Sequence, residues 1–352
     1  MSSSWNWFSL GVESSHRGIF WLTASPLIIY LLCCVALRTH QRRGGLSKSK
    51  YGDFSTMTLE EAYLIKTRIA EHEFPLVFSA ALNSVFFKAE GVPSIAKLVA
   101  RAAQRSSSAN HRPARKPKPG LSATPADLLG RPGAPETKAA IDRVNSIHSL
   151  YRPSGKMSDD DLLSVDVLSL FTLETIRWID RFEWRALTAE ERCALAMLWR
   201  ALGEELRIPF EKLTSFRDGF RDPLHWLAEL EGWGRQYEEK NREKSPESVF
   251  LAQKHFDARL GSLPGCLKRP AHSVFSALIE PGLRQAMGIE TPPSAVVFLV
   301  DMVIYARKCI RRHFCSPMGL VGGYKRASAF ISSVGFDGYV VADPFGSRAP
   351  IY

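Results

Sequence analysis

From about residue 55 to residue 315 the apolar residues recur every three to four positions, and no convincing strand or hairpin pattern interrupts them. A chain with that period builds helices. "TMTLEEAYLIKTRIAEHE" sets Thr58 and Glu61 in capping-box spacing and then places Leu59, Ala62, Tyr63, Ile65 and Ile69 on about one face. "FPLVFSAALNSVFFKAEG" and "PSIAKLVARAAQ" read as two further helices, punctuated by Gly91 and Pro93. Helices resume at 136–151 and from about 159, and Thr188 paired with Glu191 opens another that runs to the stop at Pro209. Later periodic stretches cover roughly 222–243, 271–288 and 294–314. The last contains "AVVFLVDMVIYA", which Asp301 interrupts and which is too short to span a bilayer, so it is expected as a buried core helix. The fold class is all-α, a multi-helix bundle of one domain. With 45% hydrophobic and 11% aromatic residues over 352 positions, the chain has ample material for its core.

Before the helical domain stands "GIFWLTASPLIIYLLCCVAL", residues 18–37, uncharged and long enough to cross a bilayer once. A cleaved signal peptide fits less well, because the preceding flank is nearly neutral and no small-residue cleavage site follows. Arg38, Arg42, Arg43, Lys48 and Lys50 follow the run, so the positive-inside rule puts residues 38 onward in the cytosol and the short N-terminus, 1–17, in the lumen. Residues 38–54 form a basic juxtamembrane linker, 55–315 the helical domain and 316–352 a C-terminal tail.

The net charge of +10 is clustered. One cluster follows the apolar run, and a second holds Arg101, Arg105, Arg112, Arg115, Lys116 and Lys118. Neither carries stacking aromatics, so membrane lipid is the expected anionic partner and nucleic acid is not. The second cluster leads into residues 105–135, where Pro, Ser, Arg and Gly dominate, the composition of a mobile loop or an insertion. The six cysteines show no CxxC and no paired spacing, which fits a reducing compartment.

In the helix at 136–151, His148 lines up with Ile141, Val144 and Tyr151. Such a histidine either fills the core with a backbone hydrogen bond or serves as an axial ligand, since an apolar helix face suits a porphyrin plane and imidazole suits its iron. Arg143 and Arg152 beside it would then reach haem propionates. In "LETIRWIDRFEWR", Glu174 and Arg177 stand at i, i+3, the spacing of a structural ion pair, and Arg177 is a further propionate candidate. Asp159 to Asp161 follow Ser158 as first-turn acids of a helix, not as a magnesium-diphosphate site, which needs another carboxylate where Leu163 and Ser164 stand. A prenyl-transforming lyase would rest on those aspartates alone. Cys309 and Cys315 lack the surroundings of a haem thiolate ligand, and His225 and His255 lack metal-ligand spacing and are expected as surface or cap residues.

In order along residues 55–315, "GVPSIAKL", "RVNSIHSLYRPSGKMSDDDLL", "LETIRWIDRFEWRALTAEERCA" and "LWRALGEELRI" resemble the fungal ER-bound oxygenase family, which is typified by the mycophenolic acid side-chain oxygenase and related to bacterial latex clearing protein. The resemblance implies a globin-like helical bundle holding one haem b, and oxidative cleavage of an isoprenoid carbon–carbon double bond by dioxygen. The histidine of the N-x-x-H-x-x-Y-R motif, which is His148, would be the proximal iron ligand. The family usually carries an Arg, Tyr, Asp and Thr cluster about 30 residues earlier, where the chain has its Pro-rich stretch; Thr124 and Arg115 are the nearest distal candidates. The expected protein is thus a single-pass ER-membrane haem oxygenase of secondary metabolism, facing the cytosol and acting on a lipophilic prenylated or terpenoid substrate. The alternative is a catalytically impaired haem-binding or accessory membrane protein.

Overall fold

The computed structural model describes residues 54–108, 125–151 and 164–313, together with Ala36, so the apolar run at 18–37 otherwise lies outside the described residues. Every regular element among the described residues is helical, and none of these helices is long and apolar enough to cross a membrane. Helix α1 (Leu59–Thr67) opens on the expected box: Thr58 Oγ1 accepts from the Glu61 N–H at 3.3 Å, and the Glu61 carboxylate accepts from the Thr58 N–H at 3.0 Å. The chain continues through a wider π-type segment, Arg68–Glu73, into α2 (Pro75–Ala89). Next come α3 (Pro93–Ser108), the short α4 (Pro125–Leu128) and α5 (Pro135–Tyr151). The Pro-rich stretch therefore contains the end of α3 and all of α4, while 109–124 lie outside the described residues.

The core is built around α6 (Val165–Phe182), which packs against α2, α7 (Ala189–Glu205) and α8 (Pro223–Asn241). Val165, Leu168, Leu173, Ile176 and Ile179 meet Phe78 and Leu82 of α2, Leu195 and Trp199 of α7, and Trp226 and Leu230 of α8 in one cluster. Three buried hydroxyls share that helix without needing outside partners. Ser169, Thr172 and Thr175 donate back to the carbonyls of Asp166, Leu168 and Thr172 at 2.6, 2.9 and 2.8 Å. Gly234 brings α8 close, since a Cβ there would stand 2.9 Å from the Ser169 hydroxyl. The helix expected from about residue 159 begins at Val165, because Ser164 is extended and its hydroxyl accepts from the Val167 N–H at 3.4 Å. Asp159 to Asp161 lie outside the described residues.

The second box also forms: Thr188 Oγ1 accepts from the Glu191 N–H at 3.2 Å and the Glu191 carboxylate accepts from the Thr188 N–H at 2.9 Å. Thr188→Ala leaves a donor of the first turn without its side-chain acceptor, and urea titration is expected to show a loss of about 1 kcal/mol. At its other end α7 stops at Glu205, four residues before Pro209. Arg207 adopts φ 57°, so that its N–H reaches the Glu204 carbonyl and the Ile208 N–H reaches the Gly203 carbonyl, closing the helix as a Schellman motif without glycine.

The C-terminal third departs most from expectation. Helix α9 (Pro246–Leu260), capped by Ser245, falls between the anticipated stretches. The stretch at 271–288 is divided at Pro281 into α10 (Gly265–Leu278) and α11 (Pro281–Ala286). Helix α12 (Ser294–His313) exists as expected but is not a core helix: Val300 is its one buried residue, while Phe298, Leu299 and Val303 are 68%, 60% and 61% exposed.

Candidate functional site

Helix α5 carries the motif histidine. Thr137, Ile141 and Val144 are buried along one stripe of that helix, and the helical phase sets position 148 on the same stripe. The side chain of His148 lies outside the described residues, as do Thr124 and Arg115. The helix is fixed at both ends of the stripe. Near its start, Gly130 in the turn after α4 passes so close to the Thr137 hydroxyl that any Cβ would collide with it. Toward its end, the Asn145 amide donates to the Glu205 carbonyl at the C-terminus of α7, at 3.1 Å.

Arg143 is half-buried, and its Nε has no hydrogen-bond partner among the described residues. It precedes His148 by five residues, about 7.5 Å of helix rise. A guanidinium nitrogen withdrawn from water without an acceptor is costly, so the position favours a carboxylate or another strong acceptor beside it.

Arg177 has a different setting. It forms the expected pair with Glu174 at 3.2 Å and a second with Glu238 at 2.9 Å. Both belong to a buried network that joins α2, α6, α8 and the start of α11. Lys88 Nζ lies 2.5 Å from Glu174, 3.0 Å from Glu280 and 3.5 Å from Glu238, and Arg242 lies 2.8 Å from Glu238 and 3.2 Å from Glu280. Trp178 Nε1 donates to the remaining Glu174 oxygen at 3.1 Å. Three cations thus face three carboxylates, and the charges balance. Burial works against the Arg177 charge, but Glu238 and Glu174 outweigh it and hold its pKa above the ordinary value. Burial would likewise raise Glu280, yet Lys88, Arg242 and Arg177 bring it below the usual carboxylate range.

Sequence reasoning found the local half of this network and missed Lys88, Glu238, Arg242 and Glu280, which no spacing rule connects. His255 was expected as a surface or cap residue. His255 is instead half-buried, 2.6 Å from Glu90 and edge-on to the Phe87 ring at 5.1 Å, and it ties α9 to the end of α2. His225 is at a helix start as expected, its N–H donating to the Asp222 cap at 2.7 Å. Cys193, Cys266 and Cys309 are free thiols. A cleft of about 680 Å³ opens between α9 and α10 near Phe256 and His272, but no residue of α5 lines it. Among the described residues, no group of three or more His, Cys, Asp or Glu side chains is placed to hold a metal ion.

Comparison with known proteins gives these helices a family. Residues 94–307, from the first turn of α3 to beyond the middle of α12, match the family model described as ER-bound oxygenase mpaB/B'/Rubber oxygenase, catalytic domain. The chain is 32% identical over 302 residues to the ER-bound oxygenase mpaB' of Penicillium brevicompactum, covering 83% of this chain and 69% of that relative. It is 31% identical over 288 residues to the ER-bound oxygenase mpaB of Penicillium roqueforti (strain FM164), covering 80% and 90%. The ER-bound oxygenase mpaB of Penicillium brevicompactum is 34% identical over 243 residues, covering 64% and 59%. No solved structure matches the chain significantly. The chain therefore belongs to the ER-bound oxygenase mpaB/B'/rubber oxygenase family, whose catalytic domain accounts for most of its helices.

Proposed function

We propose that the chain is an ER-membrane b-type haem oxygenase that uses dioxygen to cleave a carbon–carbon double bond in a prenylated or terpenoid substrate of secondary metabolism. The observation that carries this reading is Arg143, on the helix that bears the motif histidine, whose buried Nε has no acceptor among the described residues. A haem propionate is the kind of acceptor it would take. His148 would hold the iron through an imidazole nitrogen, on a stripe it shares with Ile141 and Val144, which are apolar and buried. Arg177 already has two carboxylates and would serve a propionate only by sharing its donors, so Arg143 is the better partner. Thr124 or Arg115 would supply polar groups on the distal side. Haem, when bound, supplies the binding and activation of dioxygen, and the chain's residues hold it and keep water from its apolar face.

The words "ER-bound" in the names of three relatives, with the uncharged run at 18–37 and its basic flank, support a single-pass anchor with the helical domain in the cytosol. A lipophilic substrate would partition into that bilayer and enter sideways.

The test is product labelling. Haem-loaded protein, given a polyprenyl-bearing phenol or a terpenoid under isotopically labelled dioxygen, is expected to yield chain-shortened carbonyl products carrying the label without added nicotinamide cofactor. Loaded protein that gives no labelled product across such substrates would contradict the oxygenase reading and favour an accessory haem-binding protein. That second reading rests on the Pro-rich stretch, which replaces the polar cluster expected on the distal side.

A further inference from the structure

Helix α12 is attached to the domain the wrong way round for a surface helix. Three of its basic residues turn inward: Arg307 donates to the Phe182 carbonyl at 2.6 Å and to Glu183 at 2.9 Å, Lys308 donates to the Asp180 carbonyl at 3.4 Å, and Arg311 donates to the Glu73 carbonyl at 3.2 Å. Its apolar side turns outward. Phe298, Leu299, Met302, Val303, Tyr305 and Ile310 are all exposed, and Asp301 is the helix's one acidic residue. Helix α10, which packs against α12, adds exposed Leu267 and Val274. So many large apolar side chains exposed on one helix mark a contact with lipid or protein.

The charges carried by the two helices select between them. Lys268 and Arg269 directly follow Leu267 on α10, and Arg312 stands near the end of α12; all three are exposed, so exposed cations accompany the apolar side chains along both helices. Interfacial helices present that arrangement to an anionic lipid surface, with the apolar side chains in the acyl boundary and the cations at the head groups. We propose that the α10–α12 face is a second membrane contact, seated on an anionic bilayer and separate from any anchor at 18–37. This inference stands independently of the haem reading.

The experiment uses the full chain in phosphatidylcholine vesicles with and without phosphatidylserine, each carrying a trace of phosphatidylcholine with a photoactivatable acyl chain. After illumination, mass spectrometry is expected to find lipid adducts on residues 294–313 several-fold above those on the polar face of α8 around Arg235 and Gln236. The excess should be larger with phosphatidylserine, and Lys268→Glu combined with Arg269→Glu and Arg312→Glu should abolish that increment. Adducts on α12 no more frequent than on α8 would overturn the proposal. So would protection of α12 with cross-links to a second copy, or to residues 18–37 or 316–352, because the face would then be covered by protein.

Discussion

Lys88→Met is expected to lower the stability of the helical domain by about 3–5 kcal/mol, read as a shift in the urea midpoint of its helical signal. Lys88 is 3% exposed and reaches three carboxylates from three directions. Without it, Glu174, Glu238 and Glu280 share only Arg177 and Arg242, and one negative charge is left uncompensated among apolar helices. The loss should fall mainly on Glu174, which is itself buried, and less on Glu280, which reaches solvent. Adding Glu174→Gln removes that charge, so the double variant should be more stable than Lys88→Met alone, a coupling that independent surface sites would not show. Acid should act in the same direction. The Glu280 carboxyl is held below its ordinary value of 4.5, so its contribution is present above that pH and is lost as the pH falls through the depressed value. A Lys88→Met protein within about 1 kcal/mol of the parent would mean that the network is solvated and contributes little.

How far this was legible in the sequence depends on separation along the chain. Both capping boxes formed where Thr58 with Glu61 and Thr188 with Glu191 predicted them, because a cap is decided within four residues. The Glu174–Arg177 pair is equally local. Lys88 lies 86 residues from Glu174, and Glu238 lies 61 from Arg177, so only the packing of α2 and α8 on α6 brings them together. Helix α9 was missed because its buried side includes Ser248 and Ala252 beside Leu251 and Phe256, a weak apolar stripe that depends on α3 for its cover. Helix α12 shows the opposite error. Its apolar run predicted a helix correctly, but period alone cannot say which side is covered, and the inward side was claimed by Arg307 and Arg311 through Glu183. At the candidate site, the motif histidine and Arg143 were singled out from sequence. That the Arg143 Nε has no acceptor among the described residues required coordinates.

His148→Ala is expected to remove stoichiometric haem while leaving most of the helical signal. A bundle loses one imidazole at a cost of roughly 1–3 kcal/mol, and the α5 stripe keeps Thr137, Ile141 and Val144 in the core. Arg143→Ala should weaken haem retention less than His148→Ala, because it removes a propionate partner and not the iron ligand. Asp159→Asn serves as the neutral control.

Whether His148 holds a haem is decided by titrating the purified protein and its His148→Ala variant with haem, following the Soret band while circular dichroism reports folding. The parent is expected to saturate near one haem per chain, and the variant, while remaining helical, to show no ligated Soret band. A parent that stays folded and takes up no haem, or a His148→Ala variant that binds it stoichiometrically with the parent's spectrum, would contradict that role of His148.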